Sequence, residues 1–138
     1  MPGEDKICYQ PIGRVENDFQ YPSSGSEIKQ YPSRLIIEER YREGLEGAAP
    51  GQKLLVLFDF HQAEEDQIPL LQHPRGDRTR QPRGVFLLRS PLRPNSIGAT
   101  EVTVEKVEGT RLTVRGLDAV DGTPILDLKI IEFGPSES

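Results

Sequence analysis

The sequence predicts an all-β chain, a single-domain β-barrel of about seven short strands joined by long loops rich in proline and glycine. Three observations carry this. Thirteen glycines and twelve prolines punctuate 138 residues, which excludes a helical bundle and favours short strands with many turns. The apolar stretches are brief, the longest being Leu54–Phe58 and Val85–Leu88. The C-terminal third alternates apolar and polar residues at the period of a strand. No segment has the apolar spacing of an amphipathic helix. Closure into a barrel is the economical way to remove the edges of so many short strands.

Residues 1–10 are expected to form a tail, although Ile7–Ile12 could begin a strand; the domain then runs over 11–133, with a second tail at 134–138. Pro11–Val15 reads as the first strand, led in by proline. Residues 18–33 hold Tyr-Pro-Ser twice, at Tyr21–Ser23 and Tyr31–Ser33, and read as a loop. Arg34–Ile37 is β-branched and reads as a strand. Tyr41–Gly51 has room for one helical turn at most, over Glu43–Ala49, before Pro50. Lys53–His61 is the strongest strand, and its unbroken apolar run implies burial on both faces. Gly84–Arg89 reads as a second strand of that kind. Val102 with Val104, and Leu112 with Val114, share faces of strands over Thr100–Val107 and Arg111–Gly116, with a tight hairpin at Glu108–Thr110. In Ile125–Phe133, period two places Leu126, Leu128 and Ile130 on one side, and Ile125, Asp127, Lys129 and Ile131 on the other.

Charge is unevenly distributed. The net charge is −5, yet residues 73–93 carry six arginines and one acid, while 1–72 balance at −6 and 94–138 at −4. An arginine-rich segment inside an acidic chain suggests local recognition of an anion rather than a wholly basic nucleic-acid binder. The single cysteine, Cys8, rules out an intrachain disulfide and argues against a Cys-based zinc site; a reducing, cytoplasmic compartment fits. No leader opens the sequence and no apolar run approaches the ~20 residues that cross a bilayer, so neither export nor a membrane is expected. With two histidines, His61 and His73, and no ligand spacing around Asp59 or Glu64, no metal is expected. Glu64-Glu65-Asp66 reads as a solvated loop end. Neither glycine-rich nucleotide cradle is present.

Three loops hold the chemistry. His73–Gly84 contributes Arg75, Arg78, Arg80 and Arg83 in a Gly/Pro setting. Guanidinium forks bind phosphate bidentately, and composition leaves a phosphate-gripping loop and a solvated one equally open. In Arg89–Gly98, prolines fix φ on either side of Arg93, and Gly98 permits a turn. A rigid loop carrying Arg89, Ser90, Arg93 and Asn95 suits a polar ligand; a stiff surface loop is the plain alternative. Asp118–Asp127 contains an Asp-Gly turn followed by Pro124, which on its residues alone is an ordinary turn into a strand.

Together, Pro11-Ile12-Gly13, Val56–His61, Gly84-Val85-Phe86, Arg89–Gly98 and Asp118–Lys129 resemble the TsaA-like family of TrmO-type tRNA methyltransferases, in family order across most of 11–131. The Arg-Pro-Asn-x-Ile-Gly and Asp-Gly-Thr-Pro-x-Leu-Asp pair is specific. The resemblance implies a β-barrel that binds S-adenosylmethionine, as a homodimer with the cofactor near the subunit interface. It also implies methyl transfer to N6 of threonylcarbamoyl-adenosine beside the anticodon of tRNA. Carried onto this sequence, it makes Phe60, His61, Arg89, Ser90, Arg93, Asn95, Gly98, Asp121, Gly122, Thr123 and Asp127 candidate cofactor contacts. Arg75, Arg78, Arg80 and Arg83 become candidates for binding RNA phosphates. No catalytic residue is assigned; Asp118 and Asp121 are weak candidates for a general base, because turn carboxylates usually cap their own turns. The chain departs from the family at Ser96, where a second proline is usual, and at Ile130-Ile131, where Pro-Tyr is usual. The latter is expected to alter a position beside the ligand pocket. The chain also ends at Ser138, without the extension of longer members, which leaves less surface for tRNA. A small metabolite or another RNA as acceptor, and a non-catalytic binding module, are the competing readings.

Overall fold

In a computed structural model, described over residues 5–19, 25–60 and 68–134, six strands close into a barrel in the order β1-β2-β7-β6-β3-β8. These are β1 (Gly13–Glu16), β2 (Ser33–Ile37), β3 (Lys53–Asp59), β6 (Ile97–Glu108), β7 (Arg111–Arg115) and β8 (Pro124–Glu132). β4 (Leu71–Gln72) and β5 (Arg83–Gly84) pair separately inside the long excursion between β3 and β6. Among the described residues the one α-helix, α1 (Gly25–Ile28), is a single turn, and Glu39–Leu45 forms a 3-10 helix. Among the described residues no helix is long and apolar enough to cross a membrane. The expected strand at Ile7–Ile12 does not form before Gly13.

The interior follows the two-residue period. Leu54, Val56 and Phe58 point inward from β3, while Leu55 and Leu57 are only half-buried on the outer wall, so one face of the apolar run is fully buried where burial on both was expected. Val15, Leu35, Val102, Val104, Leu112 and Val114 complete the core, each such burial contributing about 1.5–3 kcal/mol. Gly13 is required where β1 meets β2, because a Cβ there would collide with the Ile36 carbonyl.

Three strand expectations are corrected. Of the second buried strand expected over Gly84–Arg89, only Gly84 lies in a strand, the two-residue β5; Val85–Leu87 then coils into a 3-10 turn. Val85 alone is buried, and Phe86 and Leu87 are 73% and 75% exposed. Three residues per turn send successive side chains in three directions, so a contiguous apolar run need not share a face. In β8, a register shift opposite Leu57/Phe58 makes Leu126 the extra residue. The bulge resets the alternation, and Ile125, Leu128 and Ile130 face the partners Phe58, Val56 and Leu54. The strand expected over Lys53–His61 ends at Asp59, and His61 lies outside the described residues.

A candidate active site at one end of the barrel

One mouth of the barrel is closed by residues 117–123, between β7 and β8. Leu117, Ala119 and Val120 are buried as a plug, and the Asp118 carboxylate accepts the Thr100 hydroxyl at 2.7 Å. Asn17, just after β1, ties the plug down. Its side-chain amide donates to Ser33 Oγ (3.0 Å) and the Ala119 carbonyl (2.9 Å), and its backbone N–H donates to the Asp121 carboxylate (2.9 Å). The Asp121 and Gly122 N–H groups donate to the Phe19 and Val15 carbonyls, and Thr123 Oγ1 donates to the Val120 carbonyl. Asp118, Asp121 and Thr123 thus each have a partner that shapes the loop. Gly122, at φ +82°, takes the left-handed turn. Sequence reasoning missed Asn17; an asparagine closing a strand is a turn signal, but its partners lie about a hundred residues away.

The 60–96 excursion leaves from the same end. Phe60, half-buried, stacks edge-on with Phe58 at 5.0 Å, and its N–H donates to the Ser96 carbonyl. Ser96 Oγ donates to the Asp59 carboxylate at 3.1 Å, a bond that a proline there could not make. A Cβ on Gly98 would lie 2.5 Å from the Phe58 ring, so glycine is required for the aromatic pair to pack against β6. Arg93 Nη1 donates to the Leu88 and Ser90 carbonyls, which makes it a strap of its own loop. Ser90 Oγ accepts the Leu92 N–H, Arg89 donates to the Ala99 carbonyl at 3.3 Å, and Asn95 is exposed.

Within the excursion, residues between Pro69 and Leu92 line an open cleft of about 1060 Å³. Arg75, Arg78 and Arg80 line it together with Arg89 and Ser90; Arg83 lines an adjoining cleft that shares Arg80 and Leu87. Among the described residues, no carboxylate lines either cleft and none of the five guanidiniums is ion-paired. Arg75 sits in the left-handed region (φ 54°) just before Gly76 (φ 70°), a conformation costing a non-glycine residue roughly 1–2 kcal/mol. Asp77 turns away from this charge into its own loop. The Thr79 hydroxyl, and then the Thr79 N–H, hold its carboxyl below the usual carboxylate range, with a smaller contribution from His73.

The structure therefore joins the arginine-rich loop to the Arg89–Ser90 end of the proline-framed loop. Among the described residues, no hydrogen bond or ion pair links 89–98 to 118–127. Asp127 lies on the outer wall beside Leu57, bonded to the Leu128 N–H and paired with Lys129 at 3.0 Å. Ile130 sits at the opposite mouth, opposite Leu54, where it lines a cavity of about 190 Å³. The family's usual Pro-Tyr would thus replace residues remote from the arginine cleft. Among the described residues no cluster of three or more His, Cys, Asp or Glu is placed to hold a metal.

Residues 13–131 match the family model of the tRNA-methyltransferase O N-terminal domain. The chain is 37% identical over 123 residues to a probable S-adenosyl-L-methionine-binding protein of Methanocaldococcus jannaschii, covering 88% of this chain and 89% of that one. It is 35% identical over 126 residues to an S-adenosyl-L-methionine-binding protein of Archaeoglobus fulgidus, covering 89% and 88%. A crystal structure of TrmO superposes with a TM-score of 0.69 at 31% identity, covering 92% of this chain but only 58% of the TrmO chain.

Proposed function

The chain belongs to the tRNA-methyltransferase O N-terminal-domain family, and from that premise we propose that it is an S-adenosylmethionine-dependent methyltransferase acting on N6 of threonylcarbamoyl-adenosine beside the tRNA anticodon. The observation that carries the reading is the shared cleft. Arg89 and Ser90, from the loop that resembles the family's cofactor loop, line the same cavity as Arg75, Arg78 and Arg80. In this reading cofactor and RNA would meet along one wall. A guanidinium-rich lining, free of carboxylates among the described residues, suits both a methionyl carboxylate and phosphates, so the residues present fit the cofactor's anionic end.

When bound, S-adenosylmethionine supplies a methyl group activated on a sulfonium. The protein's part is alignment, and rigid loops are the right material for it. Arg89 would take the carboxylate, since its one internal bond leaves most of the fork free. Arg93 and Ser90 hold the turn that presents it. Phe60, Asn95 and Gly98 do not line the cleft, and they and His61 are assigned to the cofactor in this reading by the family resemblance alone. Asp121, Gly122, Thr123 and Asp127 lie outside the cleft of one chain, and the proposal includes a homodimer in which a second copy presents them. Asp118 and Asp121 act as positioning residues for the plug, through Thr100 and Asn17.

Calorimetric titration with S-adenosylmethionine, followed by transfer of a labelled methyl group to tRNA with and without the threonylcarbamoyl group, tests the proposal. Transfer to the modified tRNA alone is expected. Cofactor binding without transfer to either tRNA would refute the acceptor, and no cofactor binding would refute the reading altogether.

A further inference from the structure

Anion binding leaves part of the arginine cleft unexplained. Phe86 and Leu87 line it while 73% and 75% exposed, and Leu70 and Leu71 on and beside β4 are exposed too. These side chains do not project from a slack loop. Val85 is buried, its N–H donates to the Leu70 carbonyl at 2.8 Å, and the Leu88 N–H closes the turn on the Val85 carbonyl at 3.1 Å. An anchored 3-10 turn therefore carries a phenyl ring out into a cleft walled by guanidiniums. An exposed apolar patch rimmed by charge marks a binding surface.

We propose that Phe86 is a stacking platform for an unpaired base of single-stranded RNA, whose phosphates are held by Arg75, Arg78, Arg80 and Arg83. The proposal rests on the RNA-acceptor reading above and adds the group that selects unpaired strand. Charge complementarity favours this occupant, since the described residues that line the two clefts include five arginines and no carboxylate. A symmetric contact with a second copy centred on Phe86 would set two arginine clusters against each other. Alternating phosphates and bases match a surface of guanidiniums around one exposed ring, and every base has a face to stack. In a duplex those faces are already stacked, so the platform discriminates against paired RNA.

The test uses the full chain and fluorescent oligouridine of about ten nucleotides, within the usual span of single-strand sites. An equal-length strand of abasic sites and a duplex RNA serve as comparators. Phe86→Ala and Phe86→Leu are expected to weaken oligouridine binding about 5- to 150-fold, the loss of one base–aromatic stack. Phe86→Trp is expected to retain it, and all three should bind the abasic strand as the wild type does. Wild-type affinity for oligouridine in Phe86→Leu would overturn the platform while leaving the RNA reading intact, as would equal weakening on the abasic strand. Loss of S-adenosylmethionine affinity with RNA affinity unchanged would move the ring to the cofactor. A changed sedimentation coefficient in Phe86→Ala would assign the patch to a protein contact. Failure of the wild type to bind either strand would instead refute the RNA reading and the platform with it.

Discussion

Replacing Asn17 with alanine removes three hydrogen bonds at the point where the barrel mouth is sealed. Asn17 is 8% exposed, and two of its partners, Ser33 Oγ and the Ala119 carbonyl, belong to residues that are themselves buried. The third, the Phe19 N–H, donates to Asn17 Oδ1 at 3.0 Å. A typical net loss of about 1 kcal/mol per bond gives about 3 kcal/mol, with more if either buried partner stays unpaired. In a domain of this size that lowers Tm by about 10 °C. With four tyrosines and no tryptophan, unfolding in urea is best followed by far-ultraviolet circular dichroism. Because the backbone bond to Asp121 survives, the Asn17→Ala plug should loosen rather than detach, and cofactor affinity should fall along with stability. A loss below about 1 kcal/mol, measured against the ~1 kcal/mol expected of each bond, would refute the reasoning. Burial of Leu117, Ala119 and Val120 would then suffice to hold the loop.

Gly98→Ala should destabilise the fold by about 1–3 kcal/mol, as overpacking does, because its methyl group meets the Phe58 and Phe60 rings; thermal denaturation reads this directly. Replacing Arg78 and Arg80 with alanine should lower the slope of log affinity for single-stranded RNA against log salt by about 0.7 for each phosphate no longer neutralised, with S-adenosylmethionine affinity unchanged in calorimetry. The Asp77 carboxyl is held below its ordinary value, so its support of the 73–80 loop is full above the unfolded pKa and is lost as pH falls through the folded one. Thr79→Val removes the largest cause, and carbon-detected NMR titration should then find the Asp77 pKa nearer the ordinary carboxylate value.

The barrel strands were legible because alternation is local. Val102 and Val104, like Leu112 and Val114, face inward as their spacing predicts, and the turn at Glu108–Thr110 joins β6 to β7. Local pattern fails where a run of apolar residues does not share a face. Val85-Phe86-Leu87 is equally apolar throughout, and only the carbonyl of Leu70 and the interior behind Val85 decide which one turns in. It fails again at β8, where one extra residue reverses the faces of Ile125 and Leu126. The motif loops were legible as rigid and polar, but their grouping was not. Arg75, Arg78 and Arg80 fall with Arg89 and Ser90, while Asp121 and Thr123 fall with Asn17.

By itself, then, the sequence determined an all-β barrel, the inward faces of the strands that alternate regularly, an arginine-rich loop within an acidic chain, and two proline-framed motif loops. These depend on backbone sterics, on side-chain period and on turn chemistry, all of which act between near neighbours. Only the tertiary structure decided that two arginine segments wall one cleft, that Phe86 is carried into it, and that Asn17 seals the barrel through partners up to 104 residues away. Those juxtapositions arise when the chain closes on itself, bringing together groups whose attraction leaves no period along the sequence.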